Sequence, residues 1–496
     1  RLLVALHEGG ALDKAFLQHV DGFDAALEAA LADDPAVTGL SEAEIRAFCQ
    51  LWMGTEKVVT IFSQGVNQST SGSDKVNAIL NCHLATGRIG KPGMGPLSVT
   101  GQPNAMGGRE VGGLANMLAC HLDIENPLHR NAVREFWQAP EMPEAPGLKA
   151  VDMFRAVGDG RIKALWIIHT NPAVTLPDAD RVAAAIKGCD FTVVSDITGA
   201  TDTARLADVL LPATAWAEKD GTVTNSDRMI SRQRAVLAPP GAARPDWDIL
   251  ADVGRRMGFR DAFDYRGPAE IFREYAALSG IAGYFGRDFD ISALRDLDDP
   301  DYAAFAPSRW PLTETRRGGR FFADGGQARM LAVRHREPVA KRAPRYPFRL
   351  NTGRIRDQWH TMTRTALSPR LSAHLAEPFV DVHPADAAEL ELHPADLVEL
   401  ASPQGKAILR ARISTDVQRG DLFAPIHWTG ETAPSARIDT LVAAEVDPVS
   451  GQPESKASVA SARRLTPAWY GFAISTASIT PDCAYWARSR TKTGWR

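Results

Sequence analysis

The residues able to do chemistry sit in Gly-rich or polar loops that directly follow short apolar, β-branched runs. Ser63-Gln64-Gly65-Val66-Asn67 follows the run 57–62. Asn171 follows 163–169, and Ser195 and Asp196 close 191–196. A Gly- and Pro-dense stretch over 87–113 carries Gly101, Gln102, Asn104, Arg109 and Glu110. So much glycine forgoes helix and strand stability and implies a backbone that approaches something closely. Loops at the carboxyl ends of parallel strands are where such sheets bind ligands. These loops offer many backbone N–H groups and few carboxylates, which suits an anion such as pyrophosphate. No GxGxxG opens a βαβ unit and no GxxxxGK[ST] occurs, so an ordinary dinucleotide or ATP loop is unsupported.

The elements that must position these loops can be read from periodicity. Residues 1–53 read as helices; Ser41 with Glu44 forms a capping box ahead of an apolar run to Trp52. Runs 57–62, 163–169, 191–196 and 208–212 read as strands. Helical patterns at 73–86 and near 178–187 alternate with them, giving a parallel, doubly wound α/β sheet. After Pro344 the pattern changes to short strands at 348–351, 379–382, 397–401, 407–413 and 421–425, a β-barrel signature. Residues 245–336 mix helix and irregular chain, with a basic run at 316–320.

A chain of 496 residues exceeds one hydrophobic core, so several domains are expected. No stretch approaches ~18 consecutive apolar residues, so no membrane partner is expected. The net charge of −4 argues against nucleic acid as a partner. The five cysteines, Cys49, Cys82, Cys120, Cys189 and Cys483, have no metal-ligand spacing and indicate a reducing compartment. The opening RLLVALHEGG starts without Met inside a helical pattern, which suggests a chain entered in its middle.

The run Ser98-Val99-Thr100-Gly101-Gln102-Pro103-Asn104-Ala105-Met106-Gly107-Gly108-Arg109-Glu110-Val111-Gly112-Gly113 resembles the nitrate reductase branch of the bis-molybdopterin guanine dinucleotide oxidoreductases, the DMSO reductase superfamily. Gln64-Gly65-Val66-Asn67-Gln68, the stretch 86–93, Asn171-Pro172-Ala173, Ser195-Asp196, 207–213, 218–222, Thr352-Gly353-Arg354, 359–364 and Gln452-Pro453-Glu454 with Lys456 fit the same family, in its order.

The resemblance implies two dinucleotide-binding α/β domains (1–97, the remainder of the first, and 98–250), a connecting region (251–343), a C-terminal β-barrel of double-psi type (344–464) and an extension (465–496). It implies a catalytic subunit of molybdenum-dependent assimilatory nitrate reduction. Gln102 and Arg109 would line the funnel to the metal, where a forked guanidinium matches a planar anion. Gln64, Gly65, Asn67, Gly101, Asn104, Asn171, Ser195, Asp196, Asp208, Thr352, Gly353, Arg354, His360, Thr361, Thr363, Gln452 and Lys456 would hold the molybdopterin guanine dinucleotides. Nitrate is the implied substrate. Ferredoxin, flavodoxin or an NAD(P)H-dependent reductase subunit is the implied donor, in the cytoplasm.

The family's 4Fe-4S cluster and its molybdenum side-chain ligand belong to a preceding region, and no cysteine here matches those motifs. Plainer roles stand beside these. Arg109 could pair with Glu110; Gln102 and Asn104 could be turn residues; Asp196 could cap a helix; His360 could be a satisfied core histidine. Trp359, Met106 and Met362 read as packing. The 316–320 run reads as solvated surface or a patch for an acidic electron donor. A formate dehydrogenase-like oxidoreductase and a non-catalytic cofactor-binding fragment are the alternative functions. Formate-oxidising relatives tend to carry Arg where Thr100 stands.

Overall fold

The computed structural model describes residues 1–312, 321 and 323–496. They form two compact units interleaved along the chain. The first contains Arg1–Asn67, Ser73–Leu148 and Thr214–Arg336; the second contains Gln68–Gly72, Lys149–Ala213 and Glu337–Arg496. The basic run 316–320 lies outside the described residues.

In the first unit, helices Leu2–Glu8, Phe23–Ala32 and Glu42–Gly54 bury Leu3, Val4, Leu6, Leu27 and Trp52 against Leu84 and Ala85. The expected capping box is present. The Ser41 hydroxyl accepts from the Glu44 N–H, and the Glu44 carboxylate accepts from the Ser41 N–H at 2.8 Å. Strands Val59–Phe62 and Gly95–Ser98 pair in parallel, Val59 opposite Gly95 and Phe62 opposite Ser98, with helix Gly72–Ala85 between them in sequence. A second core surrounds helix Pro268–Tyr284. Phe272, Ala276, Leu278 and Ala282 pack there with Leu122, Phe289, Ile291 and Trp310. The hairpin Gly221–Thr224 and Met229–Gln233 also contributes to that core through Ile230.

Two elements fall inside the stretch expected to be neither helix nor strand: the strand Gly95–Ser98 and the helix Ala105–Glu110. Much of what its glycines approach is their own chain. A Cβ on Gly107 would lie 2.2 Å from Asn104 Oδ1. One on Gly112 would lie 2.6 Å from the Ala119 nitrogen, in a backbone with φ +76°.

The second unit opens with a parallel sheet of Ala164–Ile168, Phe191–Asp196 and Val209–Pro212, adjacent in that order. Helices Ala150–Gly158 and Ala179–Gly188 bury Phe154, Val157, Val182 and Ile186 with the sheet's Leu165, Ile167 and Val194. Six strands then close a barrel in the order Phe348–Gly353, Asp421–Pro425, Phe379–Val382, Lys406–Ile413, Leu397–Ala401 and Ser458–Leu465, the last pairing back on the first. Alternate side chains fill the interior. Leu350, Val380, Val398, Leu400, Leu409 and Leu422 are fully buried, each contributing roughly 1.5–3 kcal/mol of transfer free energy. The closing strand was not among those expected. It buries Val459, Ala460 and Ala462 but turns Arg463 and Arg464 outward, so its sequence lacks a strong apolar run.

The α/β class with parallel sheets and a C-terminal barrel is therefore the observed architecture. No helix among the described residues is long and apolar enough to cross a membrane.

Candidate functional site

The first unit places its chemistry at the carboxyl ends of two neighbouring strands. Val59–Phe62 runs into the short helix Gln64–Asn67; Gly95–Ser98 runs into Gly101, Gln102 and the helix Ala105–Glu110. The turns are tied where they leave the sheet, since the Val99 N–H donates to Phe62 O at 2.9 Å and the Ser63 hydroxyl donates to Val99 O. Gln64, Gly65, Gly101, Gln102 and Arg109 are exposed, and Asn67 and Asn104 are half-buried.

Glu110 is turned the other way. It is 1% exposed, and its carboxylate accepts from Trp310 Nε1 (2.6 Å), Thr224 Oγ1 (2.8 Å) and Tyr275 Oη (3.3 Å). Burial raises its pKa, and these hydrogen bonds oppose that rise. The Arg109–Glu110 ion pair does not form; Arg109 has no ion-pair partner among the described residues. Asn104 is not a simple turn residue. Its Oδ1 accepts from the Thr224 N–H at 2.8 Å.

The second unit gathers most of the other candidates. Asn171 follows one strand and Asp196 ends the adjacent parallel one, Ile168 lying opposite Ser195. The buried Asn171 Oδ1 accepts from Thr203 N (3.1 Å) and Thr203 Oγ1 (2.7 Å), while its Nδ2 has no hydrogen-bond partner. A buried donor left unpaired costs roughly 1–3 kcal/mol. Asp196 accepts from the Ile197 N–H at 2.7 Å; burial raises its pKa, and the nearby His169 and Arg364 charges oppose that rise. Ser195 is buried with its hydroxyl accepting from Trp166 Nε1 at 2.9 Å. Asp208 lies at the opposite, amino-terminal edge of this sheet. There its carboxylate accepts from the Thr192 N–H at 2.7 Å, so the fold does not group it with Asn171 and Asp196.

The barrel brings a cationic loop to the same sheet end. Next to Thr203, Asp202 accepts from the Gly430 N–H at 2.9 Å. Three residues earlier, His427 braces the loop that carries Arg354, His360, Thr361 and Thr363. Its Nδ1–H donates to His360 O at 2.7 Å, and its Nε2 accepts from the Ile355 N–H at 2.9 Å. Those two bonds require the neutral ring with the proton on Nδ1. His427 is fully buried, and burial together with the Arg354 and His360 charges pushes its pKa down to about 4. The loop itself is compact: the Arg354 guanidinium lies 4.8 Å from the Trp359 ring, which meets His360 edge-on at 4.7 Å. His360 has φ +42° and Met362 φ +59°, left-handed conformations that cost side-chain-bearing residues energy and need firm bracing.

Thr352 donates to Ser455 O at 2.9 Å, and Lys456 Nζ donates to Thr352 O. Burial pushes the Lys456 ammonium pKa down and the Asp439 carboxyl up, each charge opposing the other's shift. Gly353 packs on Phe423. Gln452 is exposed on a turn whose Asp447 accepts from the Ser450 N–H at 2.8 Å.

In the second unit His427, Asp202 and Thr203 brace the candidate residues, and none of the three was singled out from sequence. The available signal was a polar residue directly after an apolar strand, as at Pro425-Ile426-His427. Among the described residues no group of three or more His, Cys, Asp or Glu side chains is placed to hold a metal ion. Cys49, Cys82 and Cys120 are buried thiols, and burial pushes the Cys82 pKa up to about 12.

In the second unit the sheet end thus carries the unpaired buried donor Asn171 Nδ2, and Asp196 lies within the field of the barrel's Arg364. Residues 25–256 match the molybdopterin oxidoreductase model and residues 348–459 the molybdopterin dinucleotide binding domain, and the chain belongs to the molybdopterin oxidoreductase family. It is 43% identical over 491 residues to a nitrate reductase of Klebsiella oxytoca, covering 98% of this chain and 57% of that one. It is 32% identical to the assimilatory nitrate reductase catalytic subunit of Bacillus subtilis (88% and 61% covered). An F420-dependent formate dehydrogenase subunit alpha of Methanocaldococcus jannaschii is likewise 32% identical (87% and 63%). The fold matches acetylene hydratase from Pelobacter acetylenicus with a TM-score of 0.70 at 15% identity, over 94% of this chain and 70% of that one. The chain thus spans roughly three-fifths of the length of these curated relatives.

Proposed function

We propose that the protein to which this chain belongs reduces nitrate to nitrite and water, taking up two electrons and two protons, in cytoplasmic nitrate assimilation. The observation that carries the reading is the disposition of the helix Ala105–Glu110. Its acid is consumed inward while Arg109 stays exposed, as does Gln102 in the turn between the strand Gly95–Ser98 and this helix. A free guanidinium presents paired donors and a fixed positive charge to a planar anion. The Gln102 amide can donate a further hydrogen bond and orient one oxygen.

The donor set fits a molybdopterin dinucleotide. Asn171 Nδ2 is a buried donor in want of an acceptor, Arg354 and Lys456 supply positive charge, and Asp196 can accept N–H bonds from a base. Thr352, Gly353, His360, Thr361, Thr363 and Gln452 complete that set in the second unit. Gln64, Gly65, Asn67, Gly101 and Asn104 form its counterpart in the first. Bound molybdenum supplies the two-electron redox chemistry; the residues here supply orientation and field. Electrons would arrive through a 4Fe-4S cluster elsewhere in the longer protein, from a ferredoxin, flavodoxin or NAD(P)H-dependent partner.

The second reading, formate oxidation, is favoured by the 32% identity to an archaeal formate dehydrogenase subunit. A viologen-linked assay on the full-length protein separates the two. Nitrate reduction is expected; formate oxidation without nitrate reduction would reject the proposal. Arg109→Ala should raise the nitrate KM at least about ten-fold, the loss of one charge-assisted hydrogen bond. Unchanged kinetics would remove Arg109 from the site.

A further inference from the structure

We propose that Glu110 is a positioning residue for Arg109: a buried carboxylate that sets the orientation of the anion-binding helix without touching substrate. The inference rests on the nitrate reading above and extends it to a residue with a purely internal set of contacts. The helix Ala105–Glu110 has six residues, two of them glycine, with two further glycines just beyond it. A helix under ~12 residues does not hold itself in water, so its tertiary contacts must. Those contacts converge on one residue of the neighbouring hairpin. Thr224 donates its N–H to Asn104 Oδ1 at 2.8 Å, ahead of the helix, and its Oγ1 to Glu110 Oε2 at 2.8 Å, at the helix end. Trp310 Nε1 (2.6 Å) and Tyr275 Oη (3.3 Å) donate to the same carboxylate from the aromatic core.

Three neutral donors hold Glu110, the His121 charge acts on it from nearby, and among the described residues no Lys or Arg pairs with it. An apolar side chain would fill this volume without the desolvation cost of a buried acid. A carboxylate held by three donors does something an apolar residue cannot: it fixes the rotation of the helix end. Arg109 is the adjacent residue, so its exit direction follows from that rotation. The ion pair Glu110 might have formed with Arg109 is thereby excluded, and the guanidinium is left available to an anion.

The test uses the full-length, cofactor-loaded enzyme and the variants Glu110→Gln, Thr224→Val and Arg109→Ala, with the double variant Glu110→Gln/Arg109→Ala. Glu110→Gln keeps the volume, and Thr224→Val keeps the backbone bond to Asn104. Either should raise the nitrate KM about ten-fold or more, with molybdenum content and the thermal midpoint near wild type. The double variant should be no worse than Arg109→Ala alone, because a residue that acts through Arg109 has nothing left to position. Additive losses, or a wild-type KM in both single variants, would overturn the proposal while leaving the nitrate reading intact. Absence of nitrate reduction in the wild type would refute that reading instead. A second readout needs no turnover: amide hydrogen exchange over 105–113 should quicken at least about ten-fold in both Glu110→Gln and Thr224→Val, with other segments unchanged. Unaltered exchange there would refute the anchoring itself.

Discussion

Acidification should loosen the barrel loop through one imidazole. His427 must be neutral to donate from Nδ1 to His360 O and accept at Nε2 from the Ile355 N–H. Its pKa falls from 6.5 to about 4 on folding. The sign follows directly. The unfolded chain binds this proton more tightly, so the stabilisation is complete above pH 6.5 and is lost as pH falls toward about 4. A tenfold change in proton affinity is worth about 1.4 kcal/mol, which sets a ceiling of about 3 kcal/mol and a loss of about 2 kcal/mol between pH 7 and pH 5. Other depressed histidines, His83, His129 and His360, act in the same direction, so the isolating measurement is a difference. Urea midpoints of wild type and His427→Gln, each at pH 7 and pH 5, should show the variant less stable at pH 7 by about 1–3 kcal/mol. The variant should then lose about 2 kcal/mol less than wild type on acidification. The Ile355 amide should also exchange faster in wild type at pH 5 than its intrinsic rate change requires. Identical pH dependence in the two proteins would show that His427 does not carry this linkage.

Further outcomes can be checked by substitution. Asn171→Asp keeps the acceptor for Thr203 but turns the unpaired donor into an anion; the protein should stay folded by circular dichroism and lose most of its molybdenum and guanine nucleotide. Retained cofactor would remove Asn171 from the binding set. Gly353→Ala would place a Cβ 2.5 Å from the Phe423 ring. Overpacking of that kind costs about 1–3 kcal/mol, read as a lowered thermal midpoint; an unchanged midpoint would mean the barrel yields there freely.

Local rules made much of the fold legible. The alternation of β-branched runs with amphipathic helices predicts the strand ends that carry Asn171 and Asp196, and those strands occur at Ala164–Ile168 and Phe191–Asp196. The capping box at Ser41 is a contact between neighbours in sequence, so it survives any tertiary arrangement. The glycine-dense stretch was less legible. Its glycines predict close approach but not its object, and Gly107 and Gly112 approach their own backbone and side chains.

The sequence alone determined which loops leave which strands, and the ordered motifs of the molybdopterin oxidoreductases, because both follow from short-range pattern. Tertiary structure alone decided the direction each polar side chain takes. Arg109 and Glu110 are adjacent in sequence, yet one faces solvent and the other meets Thr224, Tyr275 and Trp310, which lie 114 to 200 positions away. Asp208 shares a motif with the site but caps the far edge of its sheet. His427, with no motif around it, braces the loop of His360 across 67 positions. Hydrogen bonds between remote segments set these choices, and their partners become neighbours only once the core has closed.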